Sequence, residues 1–266
     1  MPQSYANVQR PASLFHFARL HNLDPRWVAL NIPLLWHSFY FRREDCDIAL
    51  NTNIWTTGVT AGGAPTAFAL AAARGGVFRG ATGITDDGFT SVKFANVIFD
   101  AADNPGMYVR FLAPAAVTGW GLEIGFSDPM TSDVLKAVTA LTAAAVPTVG
   151  NGVTDIAAVC LDTDYTLTTA ALVGAGTTGT AAGVAIGPTY TPTASRFVEV
   201  IIQVQANLVS CQVWDDGTFI GEYGVTNGPD AAVLLAPFIT FCTRNTTTKQ
   251  MDLKKVILWS EENRTT

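Results

Sequence analysis

The stretch Arg196-Phe197-Val198-Glu199-Val200-Ile201-Ile202-Gln203-Val204-Gln205-Ala206-Asn207-Leu208-Val209-Ser210-Cys211-Gln212-Val213-Trp214-Asp215-Asp216-Gly217 decides the fold class. Val198, Val200, Ile202 and Val204 alternate with Glu199, Ile201, Gln203 and Gln205, and the scheme repeats as Val209, Cys211 and Val213 around Ser210 and Gln212. A period of two places each set on its own face of a strand. Ala206-Asn207 supplies a first reversal, and Asp215-Asp216-Gly217 a second before Phe219-Ile220-Gly221-Glu222-Tyr223. Three consecutive antiparallel strands are the economical reading.

The same alternation extends outward. In Trp120-Gly121-Leu122-Glu123-Ile124-Gly125-Phe126 every bulky apolar residue falls on one face, with Gly or Glu on the other. Further strands are predicted at Val92–Phe99, Met107–Ala113, Ile156–Leu161, Ala170–Val173, Val233–Phe241 and Leu253–Trp259. A helix is predicted only over Ser132–Leu141, which has an N-cap residue and a period near 3.6, and over a short amphipathic turn in the N-terminal segment. Many short strands with few helices indicate an all-β, antiparallel two-sheet sandwich. Threonine is abundant along it, and its β-branched shape suits a pleated surface while its hydroxyl keeps that surface wet.

Of 266 residues, 48% are hydrophobic and only 14% charged, where soluble domains carry about 25% charged residues. The formal net charge is −6. Disorder is excluded by the hydrophobic content, and the absence of any Lys/Arg cluster argues against a nucleic-acid surface. The charge-free stretches Ile48–Ala73 and Tyr165–Ser195 are broken by Thr, Gly and Pro, so no membrane span is expected. They are instead expected to be the surface most easily covered by partners, since few ions need desolvating there. The start Met1-Pro2-Gln3-Ser4-Tyr5-Ala6-Asn7 lacks a positive region and an apolar run, and secretory export is not expected.

Residues 1–37 read as an N-terminal arm and 38–266 as the sandwich. The arm holds all three histidines, His16, His21 and His37, and a cluster of large apolar groups. Leu14, Phe15, Phe17 and Leu20, with Trp27 beyond Asn22-Leu23-Asp24-Pro25, are the candidate interface residues. They pack either on their own domain or on a neighbour.

No catalytic set assembles from the sequence. Gly174-Ala175-Gly176-Thr177-Thr178-Gly179 has G-x-G-x-x-G spacing, but the Gly/Pro-broken segment after it does not supply the helix a dinucleotide site requires. Nucleophile elbow, H-E-x-x-H and Walker A sequences are missing, and the histidines all lie in the arm. Asp86-Asp87 and Asp215-Asp216 read as turn residues. Asp162 and Asp164 can project to one side, either as a solvated strand end or as the start of a calcium site that lacks a third acid. Cys46, Cys160, Cys211 and Cys242 are scattered in apolar segments and read as buried free thiols rather than zinc ligands. Asn245-Thr246-Thr247 and Asn263-Arg264-Thr265 read as chance matches to the glycosylation acceptor. Trp120, Trp214 and Trp259 read as packing residues. No cofactor, no metal and no enzymatic activity are expected.

The C-terminal layout, from Arg196–Gln205 through Leu235-Ala236-Pro237-Phe238 to Asp252-Leu253-Lys254-Lys255-Val256-Ile257-Leu258-Trp259, resembles the concanavalin A-like and laminin G-like jelly rolls. With Met107-Tyr108-Val109-Arg110-Phe111, Leu122–Asp128 and Asp155–Asp164 upstream, it is similar to the version of this fold found in structural proteins of tailed bacteriophages. The resemblance implies a jelly roll and a virion location, as head decoration, head fibre or tail component, made in the host cytoplasm. It implies a non-enzymatic role in which the arm enters a neighbour's groove, the partners being the major capsid protein or other virion proteins and identical subunits. The alternative is a carbohydrate-binding module for host attachment, with a glycan as partner. Enzymes of the wider fold carry a Glu-x-Asp-x-Glu strand, and no such strand exists here.

Overall fold

The computed structural model describes residues 26, 39–46, 49–60, 62–71, 76–128, 138–141, 147–150, 152–163, 170–176, 183–186, 190–205 and 207–261. The strands in chain order are β1 (Phe39–Glu44), β2 (Trp55–Val59), β3 (Thr66–Ala71), β4 (Val77–Ala81), β5 (Phe89–Phe94), β6 (Phe99–Asp100), β7 (Gly106–Leu112), β8 (Trp120–Ser127) and β9 (Val138–Leu141). There follow β10 (Pro147–Val149), β11 (Ile156–Asp162), β12 (Ala170–Ala175), β13 (Gly183–Ile186), β14 (Phe197–Gln205), β15 (Leu208–Asp215), β16 (Thr218–Val225), β17 (Leu234–Thr243) and β18 (Gln250–Glu261).

Sheet A runs β16-β15-β14-β7-β18-β4-β3, with β1 also on β18, and sheet B runs β13-β12-β11-β8-β17-β5-β2, with β6 also on β17. Neighbours are antiparallel, and β9 and β10 form a separate ribbon. The predicted hairpins stand where expected. β14 pairs with β15 from Val198↔Asp215 to Gln205↔Leu208. The β15–β16 reversal has Asp216 at φ 47° and Gly217 at φ 82°, the left-handed pair a tight hairpin needs to match strand twist.

Alternation produces the core. Val198, Val200, Ile202 and Val204 of β14 and Met107, Val109 and Phe111 of β7 face Trp120, Leu122, Ile124 and Phe126 of β8 and Ala157, Val159 and Leu161 of β11. A ladder of rings crosses it: Trp55 on Phe94 at 4.4 Å, Phe94 on Phe99 at 5.8 Å and Phe99 on Phe126 at 5.5 Å. β18 keeps Met251 and Leu253 in this core and then, after a bulge at Leu253/Lys255, Val256 and Leu258. The extra residue is why Lys254 and Lys255 can stand side by side in a strand that is otherwise strictly alternating.

Two expectations change. Val138–Leu141, within the segment read as a helix, is strand β9, and residues 129–137 lie outside the described residues. Pairing of Leu141 with Pro147 and Ala140 with Thr148 overrides a helical period that β-branched Val138 and Thr139 support poorly. The strand read over Val92–Phe99 stops at Phe94, because Ala95 N–H donates to Ile54 O (2.8 Å) and Ile98 N–H to Leu235 O (3.1 Å), and resumes as β6.

The central strands of both outer faces are buried, while edge strands β16 and β3 keep exposed positions. On sheet A, Tyr108, Ile201, Gln203, Trp214, Ile257 and Trp259 are each under 5% exposed. Gly106 makes room for Trp259 across the β7–β18 pair, since a Cβ there would lie 2.1 Å from the indole. Arg26, from the N-terminal segment, stacks over Trp214 (5.0 Å) and lies 3.8 Å from Glu199. On sheet B, Ile156, Ala158, Cys160, Val173, Ala175 and Phe238 form a second buried cluster with Val153, and Val149 of the ribbon packs against it. Trp214 and Trp259 are thus packing residues as expected, but outside the core between the sheets, whereas Trp120 lies within it.

Candidate functional site

The interface candidates Leu14, Phe15, Phe17, Leu20 and Trp27 lie outside the described residues. Their neighbour Arg26 rests on its own chain's sheet A. Asp162 is described and Asp164 is not.

Asp162 ends β11 on the outer side of sheet B, where it receives Arg244 Nε at 2.9 Å and a second contact from Arg244 Nη2. The other amino group of Arg244 reaches Asp87, in the turn at residues 86–87. Burial disfavours the Arg244 charge, but the Asp162 hydrogen bond together with the nearby charges of Cys242, Asp162 and Asp87 outweighs it and raises the guanidinium pKa. Asp162 is therefore already committed to an internal cation. Among the described residues no group of three or more His, Cys, Asp or Glu side chains is arranged to hold a metal ion.

On β8 the outward positions are Gly121, Glu123, Gly125 and Ser127, with Cys160 paired across from Glu123 on one side and Thr240 on the other. One carboxylate thus stands on this strand face, 6% exposed. The flanking glycines have steric reasons: a Cβ on Gly121 would meet Cys242 Sγ at 2.8 Å, and one on Gly125 would meet Ala157 O at 2.0 Å. All four cysteines are free and buried. Burial is the main cause that pushes the Cys46 thiol up to about 12 and raises Cys160 well above 9.0.

The glycine-rich stretch beginning at Gly174 leads to strand β13, and its spacing serves packing: a Cβ on Gly174 would fall 2.3 Å from Asn227 O. Asn245, the first residue of one acceptor match, accepts from Thr247 N–H at 2.9 Å and orders the loop between β17 and β18.

That loop forms one wall of an open cleft of about 360 Å³, lined by Leu112–Ala116, Ser195, Thr247–Gln250 and Asp252. Its other wall is where β7 ends. Pro114 has no N–H to continue a ladder, and the chain is turned by Ala113 N–H on Arg196 O (2.9 Å) and Ser195 N–H on Pro114 O (3.4 Å). The lining combines hydroxyls of Ser195, Thr247 and Thr248 and the Gln250 amide with small apolar groups. Asp252 is taken by Arg79 through two parallel 2.7 Å hydrogen bonds. Lys249 is fixed by its backbone, N–H to Thr82 Oγ1 and O from Thr82 N–H, both at 2.9 Å, and is 5% exposed. The spacing Lys249-x-Met251-x-Leu253 holds a signal for this residue, placing the lysine, one position before β18, on the same side as the core residues Met251 and Leu253.

Neither a protein-family model nor a curated protein sequence matches the chain. Solved structures do. A protein of unknown function from Shewanella oneidensis MR-1 is similar with a TM-score of 0.55 and 14% identity, over 84% of this chain and 87% of that one. The Lotus tetragonolobus seed lectin is similar with a TM-score of 0.54 and 10% identity, over 84% of this chain and all of that one. LamAcat from Zobellia galactanivorans, a laminarinase catalytic domain, has a TM-score of 0.54 and 10% identity over 85% and 99%. The two antiparallel sheets and these likenesses show the fold class: an all-β antiparallel jelly roll, concanavalin A-like. The class includes binders and at least one catalytic domain, and at these identities the likeness concerns the fold.

Proposed function

We propose that this chain is a non-enzymatic, carbohydrate-binding module. The observation that carries the reading is the open cleft of about 360 Å³ lined by Ser195, Thr247, Thr248 and Gln250 together with the small apolar residues Ala113–Ala116, a size and mixed chemistry suited to one or two sugar units. Hydrolysis is disfavoured by β8, where glycines flank Glu123 on its face, while glycosidases need two carboxyl groups about the scissile bond. Asp162, bound to Arg244, is not free to be the second. The test is a glycan array with the full chain, followed by incubation of each hit and assay for new reducing ends. Retention without cleavage is expected. Release of reducing ends, or no retained glycan, overturns the reading.

A virion location, as head decoration, head fibre or tail component bound to the capsid and to identical neighbours, is the second reading. It is supported by edge strand β16, which pairs only with β15 among the described residues, and by Phe219, which is 54% exposed on it. Such an edge is surface that a neighbouring subunit would cover. Mass spectrometry of purified particles decides it: hundreds of copies indicate the head, a handful the tail, and none removes the reading. Deleting residues 1–37 tests the arm as an anchor, and undiminished particle binding overturns that role.

A further inference from the structure

We infer that the outer face of sheet A is a docking groove and that its occupant is the chain's own N-terminal segment, residues 1–38. The inference goes beyond both readings above: it seats the arm in its own subunit and leaves edge strand β16 for contact with neighbours. Strand register defines the groove. Ile257, Tyr108, Ile201 and Gln212 are paired in one row across β18, β7, β14 and β15, and none is more than 4% exposed. Trp259 and Trp214 flank the row and are as deeply buried. None of the apolar members belongs to the core between the sheets or to the cluster on sheet B. A sheet face so completely withdrawn from water has a layer packed on it. Every described strand lies in one of the two sheets or in the β9–β10 ribbon, and Val149 of that ribbon packs on sheet B, so no described strand supplies the layer.

Arg26 identifies the occupant. Its guanidinium stacks over Trp214 at 5.0 Å and lies 3.8 Å from Glu199, and Trp214 and Glu199 are cross-strand neighbours on this same face. The length of the chain allows the seat within one subunit. Phe39 pairs with Glu261 at the end of β18, and Lys255, Arg110, Glu199 and Trp214 stand level across β18, β7, β14 and β15. From Phe39 to Trp214 is therefore four strand spacings across and six residues along, about 28 Å at ~4.8 Å per spacing and ~3.3 Å per residue. Thirteen residue steps join Arg26 to Phe39 and reach about 43 Å when extended, so no second copy is needed to place Arg26 where it lies. The chemistry of the segment suits the groove as well. Leu14, Phe15, Phe17, Leu20 and Trp27 match the apolar Ile257, Ile201, Trp259 and Trp214. The segment holds Arg10, Arg19 and Arg26 against Asp24 alone, and the carboxylate that meets Arg26 is Glu199. Arg26 marks the position, and the apolar residues supply the hold by burial.

The test is hydrogen exchange by mass spectrometry on the full chain at two concentrations, with the oligomeric state read by light scattering. Amides of residues 10–30 are expected to exchange at least tenfold more slowly than in a synthetic peptide of the same residues, equally at both concentrations and in the monomer. Exchange as fast as that of the free peptide overturns the inference. Protection that grows with concentration, or is found only in a dimer, also overturns it by making a second copy the occupant. A full-chain variant carrying Leu14→Ser, Phe15→Ser, Phe17→Ser and Leu20→Ser locates the seat. Oxidation of Tyr108, Trp214 and Trp259 by hydroxyl radicals is expected to rise at least threefold in it, while Trp120, in the core, keeps its protection. Unchanged oxidation of Tyr108, Trp214 and Trp259 overturns the placement on sheet A. A rise at Trp120 as well would report unfolding of the variant, and the exchange comparison on the unaltered chain then decides.

Discussion

The two outer faces of the sandwich are closed by different means. On sheet A the buried groups are large and carry polar tips. Tyr108 donates to Glu199 at 3.0 Å, Trp259 to Gln203 at 3.3 Å, Gln203 to Asn104 O at 2.6 Å, and Arg26 lies between Glu199 and Trp214. On sheet B most are small or wholly apolar, Ile156, Ala158, Val173, Ala175 and Phe238, with Glu123 buried on β8 and Arg244 between Asp162 and Asp87 at one end. Face A is held by many directional contacts that are individually modest, whereas face B relies more on apolar packing, with the Arg244–Asp162 ion pair at one end. The difference teaches that one two-sheet sandwich can cover the central strands of its two outer faces by different chemistry, polar-tipped rings on one and small or apolar side chains on the other.

The sharpest way to break this comparison is to hollow face B. Phe238→Ala is expected to cost about 4 kcal/mol in urea unfolding, and a cost below about 1 would mean that the layer is not tightly packed. Asp162→Asn, which strands the Arg244 guanidinium, is expected to cost about 3 kcal/mol. Asp87→Asn, removing the 60% exposed partner, is expected to cost under about 1 kcal/mol. If the two replacements prove equal, the pair with Asp162 is not the structural one.

Alkali separates the faces by pH. Burial first, then Glu123 and Asp162, raises the Cys160 thiol above its ordinary 9.0, and burial followed by Glu199 raises the Tyr108 phenol above its ordinary 10.0. Both groups hold their protons more tightly when folded, so their contribution is complete below the unfolded value and is lost as pH rises above it. Stability is expected to fall from about pH 9 through the thiols and more steeply above about 10 through the phenols. Cys160→Ala should soften the first part and Tyr108→Phe the second; a melting temperature flat from pH 8 to 11 would contradict both.

The smallest effects belong to face A at neutral pH. Tyr108→Phe is expected to cost about 1 kcal/mol. Arg26→Ala is expected to cost about 0.5 kcal/mol, less in high salt, because a partly solvated cation on a ring and a 3.8 Å ion pair are both weak. A loss of several kcal/mol in Arg26→Ala would mean that the N-terminal segment is a structural layer, and would count against its release to a neighbour.

Much of the architecture was legible because it rests on local chemistry. Val198–Gln205 and Leu208–Trp214 alternate with a clean period, and Asn207 between them takes φ 69°, so their pairing needs no long-range information. The short helix over Ser132–Leu141 failed at Val138–Leu141, where cross-strand pairing outweighed a marginal local preference.

The candidate site was far less legible. Asp162 was noticed, but its partner Arg244 is 82 positions away, and no local pattern links them. Lys249, between Thr248 and Gln250, reads locally as part of a wet loop; only the two-residue step back from Leu253 and Met251 marks it as core-facing.

Sequence by itself determined that this chain is an all-β antiparallel sandwich, because strand periodicity and turn chemistry are written within a few residues of each other. Tertiary structure alone decided which face of a strand such as β11, apolar on both sides, looks inward, that the central strands are covered on their outer faces as well, and which cations are neutralised. Those outcomes depend on desolvation by residues distant in sequence, and the free energy of a buried charge is set by whatever the completed fold places beside it.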